Sequence, residues 1–309
     1  MVRPLGAVAA ALVVAVAPIR GLAPAAQRSV VRRGPMMFAT TLGEGELGDA
    51  TELSDSFDGA VQDAWRGLNR ALGDGYTKLR LDFDTSMGDA TYTRLSQSLE
   101  FARDVAIEWA LELEEDENLC LFFPDAGAAA LARREWKLDD PDEALVPPNV
   151  RLAAFPRDKL EAGDAAVFAL CPRAPEADAC ERLVEACADT MRPVALLNPE
   201  LVDMGTTGYG MAGRMFKERL LDKLAPCYYL RTLDWGALAR TYPKRFTVWQ
   251  EDADEDDGYR FLRNFDNQPN SEQLEDLYFE CNPAEGGGDD PVAGLFDGLG
   301  KFIEAFGKM

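Results

Sequence analysis

The stretch AAVFALCP, residues 165–172, decides the fold class of this 309-residue chain. It is nearly all apolar, as are LCLFFP at residues 119–124 and VRLAAFP at residues 150–156. Strands that are buried on both faces carry such continuous apolar runs. Stretches with helical periodicity separate the runs, and this alternation is typical of a parallel sheet covered by helices on both faces. The sequence therefore predicts an α/β fold with a mainly parallel, Rossmann-like sheet.

The same alternation extends to both sides of these runs. Between the predicted strands, apolar residues recur three and four positions apart, which is the spacing of an amphipathic helix. Later in the chain, FTVWQE at residues 246–251 and YRFLRNF at 259–265 flank an acidic turn and predict a β-hairpin appended to the sheet edge. Further strands are predicted at residues 76–84, 193–198 and 227–233, and helices at 54–72, 95–113, 127–136, 176–189, 211–224 and 271–280.

The N-terminal residues 1–37 have the composition of an organelle-targeting leader. Residues 1–18 combine a basic start at Arg3 with a short apolar run, which is typical of a signal sequence. The following residues are rich in Arg, Ala and Ser and contain no acid, as in a transit peptide. A signal followed by a transit peptide predicts import into a plastid that lies inside extra membranes. A secreted protein is the alternative interpretation.

The rest of the chain divides into three parts. Residues 38–52 are predicted to be a linker, residues 53–281 a single α/β domain, and residues 282–309 a glycine-rich linker followed by an amphipathic helix. The apolar stripe of that helix, from Val292 to Phe306, could pack on the domain, dock on a partner or lie on a membrane.

Composition limits the chemistry that the chain can perform. It contains no histidine, which excludes Ser-His-Asp and Cys-His nucleophile pairs and imidazole-based zinc sites. With 54 acidic and 32 basic residues, its net charge of −22 disfavours nucleic acids and anionic lipids and suits a basic partner surface. The six cysteines show no C-x-x-C spacing, which favours buried, reduced thiols over disulfides or a metal site.

A glycine pattern between two predicted strands suggests nucleotide binding. Gly208, Gly210 and Gly213 form G-x-G-x-x-G at the start of a predicted helix. Such glycines allow a phosphate to approach the backbone, Arg214 would contact that phosphate, and Asp234 would contact a ribose. However, about ten residues separate the pattern from the preceding strand, whereas a dinucleotide fingerprint turns directly off its strand. We favour a loop whose glycines permit tight packing and keep nucleotide binding as the alternative.

Two acidic patterns match cation sites only in part. Asp82 and Asp84 lie on one face at the end of a predicted strand, where carboxylates can share a divalent cation, as in phosphatase-type loops. Those enzymes need a fully apolar strand before the loop, and this strand contains Lys78 and Arg80. The acidic turn after residue 251 departs from a calcium loop because its glycine is displaced. No metal site is therefore predicted.

The central and C-terminal sequence, from about residue 53 to residue 279, resembles a plastid family. The resemblance rests on ALLNPELVDMGTTGYGMAGRMFKERL at residues 195–220 and CYYLRTLDWGALARTYPKRFTVWQE at residues 227–251. Its marks are the Leu-Asn-Pro turn at 197–199 and the Gly-Arg helix start at 213–214. The family is the domain-of-unknown-function family nineteen ninety-five. It includes the low-photosystem-II-accumulation factors of chloroplasts and a domain fused behind a plastid adenylate kinase.

The resemblance implies a non-enzymatic accessory or assembly factor for photosynthetic membrane complexes, related to photosystem II, that acts through protein–protein contacts. It implies a location in the stroma or at the stromal face of the thylakoid, with peripheral membrane contact at most. The implied partner is a photosynthetic membrane protein or another assembly factor. The resemblance supplies no catalytic residue and no cofactor, and it does not imply kinase activity because the kinase half is absent. The alternative is a nucleotide-binding Rossmann-like enzyme that uses the loop from Gly208 to Gly213.

Overall fold

The computed structural model describes residues 47–54, 56–83, 93–202 and 210–282. The strands are β1 Lys78–Phe83, β2 Asn118–Phe123, β3 Val150–Ala154, β4 Asp164–Leu170, β5 Val194–Leu197, β6 Ala225–Leu233, β7 Gly236–Thr241, β8 Phe246–Glu251 and β9 Tyr259–Phe265. The helices are α1 Phe57–Gly73, α2 Thr93–Leu111, α3 Ala126–Glu135, α4 Ala177–Asp189, α5 Met211–Arg219 and α6 Ser271–Cys281. The predicted leader and the predicted C-terminal stripe lie outside the described residues.

All nine strands form one sheet in the order β3-β2-β4-β5-β1-β6-β7-β8-β9. The pairs from β3 to β6 are parallel. The pairs from β6 to β9 are antiparallel. This arrangement confirms the predicted α/β fold with a mainly parallel sheet, helices on both faces and an antiparallel C-terminal addition.

The chain travels across the sheet in two opposite directions, which covers both of its faces. From β1 it passes through β2 to β3, and α1, α2 and α3 share one apolar core cluster. From β4 it passes through β5 to β6. Helix α4 buries its apolar residues in a second cluster, and Phe216 of α5 packs against that cluster. Connections between parallel strands are almost always right-handed. When the chain reverses its direction across the sheet, the connecting helices therefore lie on the opposite face.

The strands β2, β4 and β5 are buried on both faces, as their continuous apolar runs predict. Leu121, Phe168 and Leu196 are fully buried in the interior of the sheet. The central strand β1 is different, because only Leu79 and Leu81 are buried among its residues. A strand in the middle of a parallel sheet is normally apolar on both faces. Core packing therefore does not explain the charged residues on the other face of β1, which are Lys78, Arg80 and Asp82.

Helix α1 comes unusually close to the sheet at Gly67. Ser56 begins the helix, and its side chain accepts a hydrogen bond from the backbone amide of Gly59. A Cβ atom placed on Gly67 would lie 2.3 Å from the carbonyl oxygen of Cys227 and 3.3 Å from the amide nitrogen of Tyr242. Only a residue without a side chain permits this approach of α1 to β6.

The predicted hairpin is part of a longer antiparallel unit. Strands β8 and β9 pair as predicted, but β7, which the sequence analysis did not identify, lies between β6 and β8. Its sequence GALART consists largely of residues with low strand preference, so its periodicity is weak. Gly236 begins β7 where a Cβ atom would lie 2.0 Å from the carbonyl oxygen of Trp249. A third core cluster joins these strands to α6.

The end of the predicted linker packs on this antiparallel unit. Thr51 is buried, its backbone amide donates to Thr247 Oγ1 at 2.8 Å, and its hydroxyl donates to the carbonyl of Arg245 at 3.0 Å. The indole nitrogen of Trp249 donates to the carbonyl of Thr51 at 2.9 Å. These contacts fasten the chain before α1 to β8. Within the described ranges, no helix combines the length and apolar composition that crossing a membrane requires.

Candidate functional site

Among the described residues of the predicted nucleotide site, Gly210, Gly213 and Arg214 lie at the start of α5, and Asp234 follows β6. Gly210 precedes α5 in an extended conformation, with φ −81° and ψ 158°, and no side chain caps the helix there. Gly213 is buried inside α5, whereas Arg214 is exposed on it. Asp234 is exposed in the turn between β6 and β7. Gly208 lies outside the described residues.

The strand order separates the two halves of the glycine pattern. In a dinucleotide site the glycine turn and the ribose-binding acid follow neighbouring strands. Here β1 lies between β5, which precedes the glycines, and β6, which precedes Asp234. Two strand spacings amount to about 9.6 Å. The assignment of these residues to nucleotide binding stays a prediction.

The Leu-Asn-Pro turn joins three elements where β5 and β1 end. Asn198 has a left-handed φ of 45°, which asparagine tolerates better than most residues. Its side chain accepts a hydrogen bond from the amide of Phe83 at 2.7 Å and donates to the carbonyl of Phe83 at 2.9 Å. It also donates to the hydroxyl of Ser98 at 3.3 Å. Asn198 thus connects the end of β5 to the end of β1 and to α2.

The point at which the chain reverses its direction lies between β2 and β4. Ligands of open α/β sheets commonly bind at such a position, outside the carboxyl ends of the strands. Asp125 caps α3 by accepting a hydrogen bond from Ala128 N at 2.9 Å, and it lies 3.8 Å from Arg173. Arg173 lies 3.8 Å from Glu176 as well. The charged side chains described at the reversal point therefore pair with one another.

The six cysteines are free, and burial raises the pKa of their thiols. Cys120, Cys180, Cys187 and Cys227 are buried, and Cys171 and Cys281 are half-buried. Burial raises the pKa of Cys180, Cys187 and Cys227 to about 12. Burial also raises the pKa of Cys171 to about 11, although a hydrogen bond with Ser98 opposes the shift. A thiol with such a pKa is protonated at neutral pH and is a poor nucleophile.

Alkylation should therefore separate the cysteines into two groups. With iodoacetamide at pH 8, we expect Cys281 and Cys171 to react slowly and the four buried cysteines to react only after denaturation, because the thiolate and access are both lacking. Mass spectrometry of the digested protein measures the modified fraction at each position. Rapid native modification of Cys180 or Cys227 would contradict the burial described here.

The face of β1 that points away from α1 carries an ion pair. The guanidinium of Arg80 donates from Nη2 to Asp82 Oδ1 at 2.8 Å, and its Nε lies 2.7 Å from Asp82 Oδ2. Burial raises the pKa of Asp82, and the adjacent Arg80 opposes this shift. Asp84, the second carboxylate of the sequence pattern, lies outside the described residues. The described part of the chain contains no group of three or more Cys, Asp or Glu residues suited to a metal ion.

Strand β6 extends this polar face. Tyr229 pairs with Asp82 across the two strands, so their side chains lie on the same face of the sheet. The Tyr229 hydroxyl accepts a hydrogen bond from Gln268 Nε2 at 3.1 Å. Burial raises the pKa of Tyr229, as does Asp82, while Arg231 and Arg80 act in the opposite sense. We call Arg80, Asp82, Tyr229 and Arg231 the polar strip. Its Tyr229 also belongs to the third apolar cluster.

Three aromatic rings and a group of acids form a surface beside the antiparallel strands. The ring of Trp235 lies 5.0 Å from that of Tyr278, which lies 5.8 Å from that of Phe279. The amide of Glu251 donates to the carbonyl of Trp235 at 3.0 Å, so the acidic turn 252–257 begins beside the backbone of Trp235. We call these three rings, the acidic turn and three exposed acids nearby the aromatic–acidic surface. The three acids are Asp234, Glu275 and Asp276.

Neither the polar strip nor the aromatic–acidic surface was predicted from the sequence. The charged face of β1 was visible as an alternation, but the central position of β1 was not. The aromatic–acidic surface draws residues from three separate segments, and the turn at Trp235 depends on the unidentified strand β7. The local sequence signal for this surface was the dense acidic run 251–257.

Comparison with known proteins gives the family of the chain. The family model described as "Domain of unknown function (DUF1995)" matches residues 55–276. No curated protein matches the chain. The matched residues run from the start of α1 into α6 and include the polar strip and Trp235. The chain belongs to the family of the domain of unknown function DUF1995.

Proposed function

We propose that the protein is a non-enzymatic accessory factor of the plastid that assists the assembly of photosynthetic membrane complexes, related to photosystem II. It acts in the stroma or at the stromal face of the thylakoid by contacting a partner protein. The two-part composition of the leader supports the location. The resemblance of residues 195–220 and 227–251 to plastid accumulation factors supports the process.

The aromatic–acidic surface is the observation that carries the protein–protein contact. Phe279 is 50 % exposed at the end of α6, and Trp235 and Tyr278 are half-buried beside it. Aromatic side chains dominate the binding energy of protein interfaces when a partner removes them from water. Burial of these rings against a partner protein would contribute binding energy, so the cluster is suited to a protein interface.

The surrounding charges define the chemistry of that partner. The stretch 251–257 contains six acids among seven residues. Glu275 and Asp276 lie one turn before Phe279 on α6, and Asp234 adjoins Trp235. Complementary charge accelerates encounter and selects partners. The matching partner is a photosynthetic membrane protein or assembly factor that presents apolar side chains within a basic segment.

The experiment deletes the gene in its host and then expresses the wild-type chain or a variant in the deletion strain. We expect loss of the gene to lower variable chlorophyll fluorescence, which reports functional photosystem II, and the wild-type chain to restore it. A Trp235→Ala/Phe279→Ala variant should accumulate without restoring the fluorescence, because the aromatic contact is lost. A fluorescent fusion measures the location in the same cells.

The matched control removes exposed apolar side chains at the opposite sheet edge. Met191 and Leu111 are 83 % and 67 % exposed, and both lie near the amino ends of the parallel strands. The Leu111→Ala/Met191→Ala variant should restore photosystem II as well as the wild type. Normal photosystem II without the gene, a fusion outside the plastid, or restoration by the Trp235→Ala/Phe279→Ala variant would each contradict the proposal.

A second candidate function is nucleotide binding at the start of α5. The uncapped amides behind Gly210 favour an anion, and exposed Arg214 lies in the first turn of the same helix. A nucleotide that binds only the folded protein must raise its melting temperature. Thermal shift with NAD, NADP, ATP and S-adenosylmethionine tests this candidate, and an unchanged melting temperature with all four removes it.

A further inference from the structure

A cavity of about 680 Å³ lies beside the outer face of α1, between that helix and α2. Residues spaced three and four apart on α1, from Gln62 to Gly73, form one wall, and Asp74 and Glu108 complete the lining. The volume lies within the range of about 300–1,000 Å³ that is usual for small-molecule sites. Because α1 ends shortly before β1 begins, the cavity lies toward the amino end of β1, whereas Trp235 follows the carboxyl end of β6.

Trp65 gives the cavity an aromatic wall. Its side chain is half-buried and packs against the apolar cluster that α1, α2 and α3 share, so the core supports the position of the ring. The same residue lines the cavity. The face of an aromatic ring is negative and attracts the weakly positive hydrogens of C–H groups. A ligand with a face of C–H groups can therefore pack on the part of Trp65 that the core leaves uncovered.

The polar side chains of the cavity are planar, and three of them keep their hydrogen-bonding groups free. Gln62, Asn69 and Glu108 are exposed, and within the described ranges their side chains form no hydrogen bond or ion pair. A carboxamide donates and accepts at neighbouring atoms, and a carboxylate accepts through two oxygens. A hydroxyl group is both a donor and an acceptor. Two neighbouring hydroxyls of a ligand therefore match each of these side chains with two hydrogen bonds.

The two guanidiniums of the cavity are paired with acids. Arg66 Nη1 lies 2.6 Å from Asp63 Oδ1, and Arg70 Nε lies 3.1 Å from Asp74 Oδ2. The hydroxyl of Tyr242 also donates to Asp74 Oδ2, at 3.0 Å. The carboxylates, together with the net charge of −22, disfavour an anion, whereas the two guanidiniums disfavour a cation. The cavity therefore suits a neutral polar ligand.

We propose that this cavity binds a carbohydrate, either a free sugar or the sugar headgroup of a lipid. A sugar ring is neutral and presents a face of C–H groups to Trp65. Its adjacent hydroxyls bond to Gln62, Asn69 and Glu108, and the bonds to the carboxylate are the stronger ones because the acceptor is charged. The guanidinium N–H groups that the acids leave unused donate to further hydroxyl oxygens.

The test is nuclear magnetic resonance of the full chain labelled with nitrogen-15 in tryptophan. The chain contains five tryptophans, and the Trp65→Phe variant identifies the indole N–H signal of Trp65. We expect maltose or melibiose to shift that signal in a saturable manner. Sorbitol should not shift it, because this acyclic polyol offers hydroxyls without the C–H face of a ring.

Two glycine variants separate blocking of the cavity from general damage. A Cβ atom at Gly73 meets nothing within 4 Å, so Gly73→Phe can place a ring in the cavity, and it should abolish the saturable shift. Gly48 is an exposed glycine outside the cavity lining, and a Cβ atom there also meets nothing within 4 Å, so Gly48→Phe should leave the affinity unchanged. Asn69→Ala should weaken binding about three- to tenfold, since the hydrogen bonds of one neutral side chain are lost.

Vesicles distinguish the two sources of the sugar. Co-sedimentation with vesicles of equal parts phosphatidylcholine and digalactosyl diacylglycerol, but not with phosphatidylcholine alone, indicates a lipid headgroup. Binding of the free sugars without co-sedimentation indicates a free sugar. Absence of a saturable shift with both sugars, an equal shift with sorbitol, or wild-type affinity of the Gly73→Phe variant overturns the proposal. None of these outcomes depends on the assembly function, because the assays contain no partner protein.

Discussion

Replacing Arg151 by leucine should lower the free energy of unfolding by about 3–5 kcal/mol, the usual effect of removing one partner of a buried ion pair. Arg151 donates from Nε and Nη2 to the two carboxylate oxygens of Asp164, at 2.8 and 2.5 Å. The side chain of Asp164 is 0 % exposed, so its charge would remain in the interior without a cation. Hydrogen bonds to Asp164 raise the pKa of Arg151 above its ordinary value, which agrees with a strong interaction.

Urea unfolding followed by circular dichroism measures this change. The control is Arg263→Leu, since Arg263 also contacts both carboxylate oxygens of one acid, Glu280, at 3.1 Å each. That pair is exposed, so its removal should change stability by about 0–1 kcal/mol. Replacing both members of the buried pair, as Arg151→Met/Asp164→Leu, should recover part of the loss. Equal effects of Arg151→Leu and Arg263→Leu would show that burial of Asp164 does not matter.

A single methyl group at Gly67 should destabilise the protein by about 1–3 kcal/mol, as overpacking does in a filled interior. The Cβ atom of Gly67→Ala would meet the carbonyl oxygen of Cys227, a backbone atom that cannot rotate aside. Helix α1 must then move away from β6 and lose apolar contacts along its whole inner face. The midpoint of urea unfolding measures the loss.

The same helix offers a control for Gly67. Gly73 lies in the last turn of α1, and a Cβ atom there meets nothing within 4 Å. Gly73→Ala should therefore be neutral or stabilise the protein by up to about 1 kcal/mol, because alanine loses less backbone freedom on folding. If Gly67→Ala proves as harmless as Gly73→Ala, α1 is not held against β6 by a close backbone contact.

The fold was predictable wherever one physical signal dominated. The apolar runs at residues 119–124 and 165–172 became β2 and β4, because burial on both faces requires continuous apolar sequence. The alternation at residues 246–251 and 259–265 became β8 and β9 with the predicted bounds. These segments carry their structural signal locally, without help from the rest of the chain.

Local sequence did not predict the elements that depend on distant contacts. Strand β7 has little strand preference of its own, and it exists because β6 and β8 supply hydrogen bonds on both sides. The helix predicted at 211–224 ends at Arg219 and continues as a short 3-10 turn, Leu221–Lys223. Sheet order is a property of the whole chain, so the central place of β1 could not be read from its six residues.

The candidate sites were harder to predict for a related reason. Arg80 is an ordinary surface residue type in the sequence, and only the pairing of β1 with β6 brings it to the phenol of Tyr229. The glycine pattern was a local signal, yet β1 separates its strand from the strand that leads to Asp234. A local motif can therefore suggest a site that the topology does not assemble, while a site made by topology leaves no local motif.

The position of β9 at the end of the sheet has a consequence for how copies of this protein meet. The outer backbone groups of an unpaired border strand can recruit the same strand of another molecule, which is a route to fibrils. Arg260 and Arg263 project from β9, and the adjoining turn is crowded with acids. Two molecules brought together along this border would oppose like charges, which disfavours such pairing.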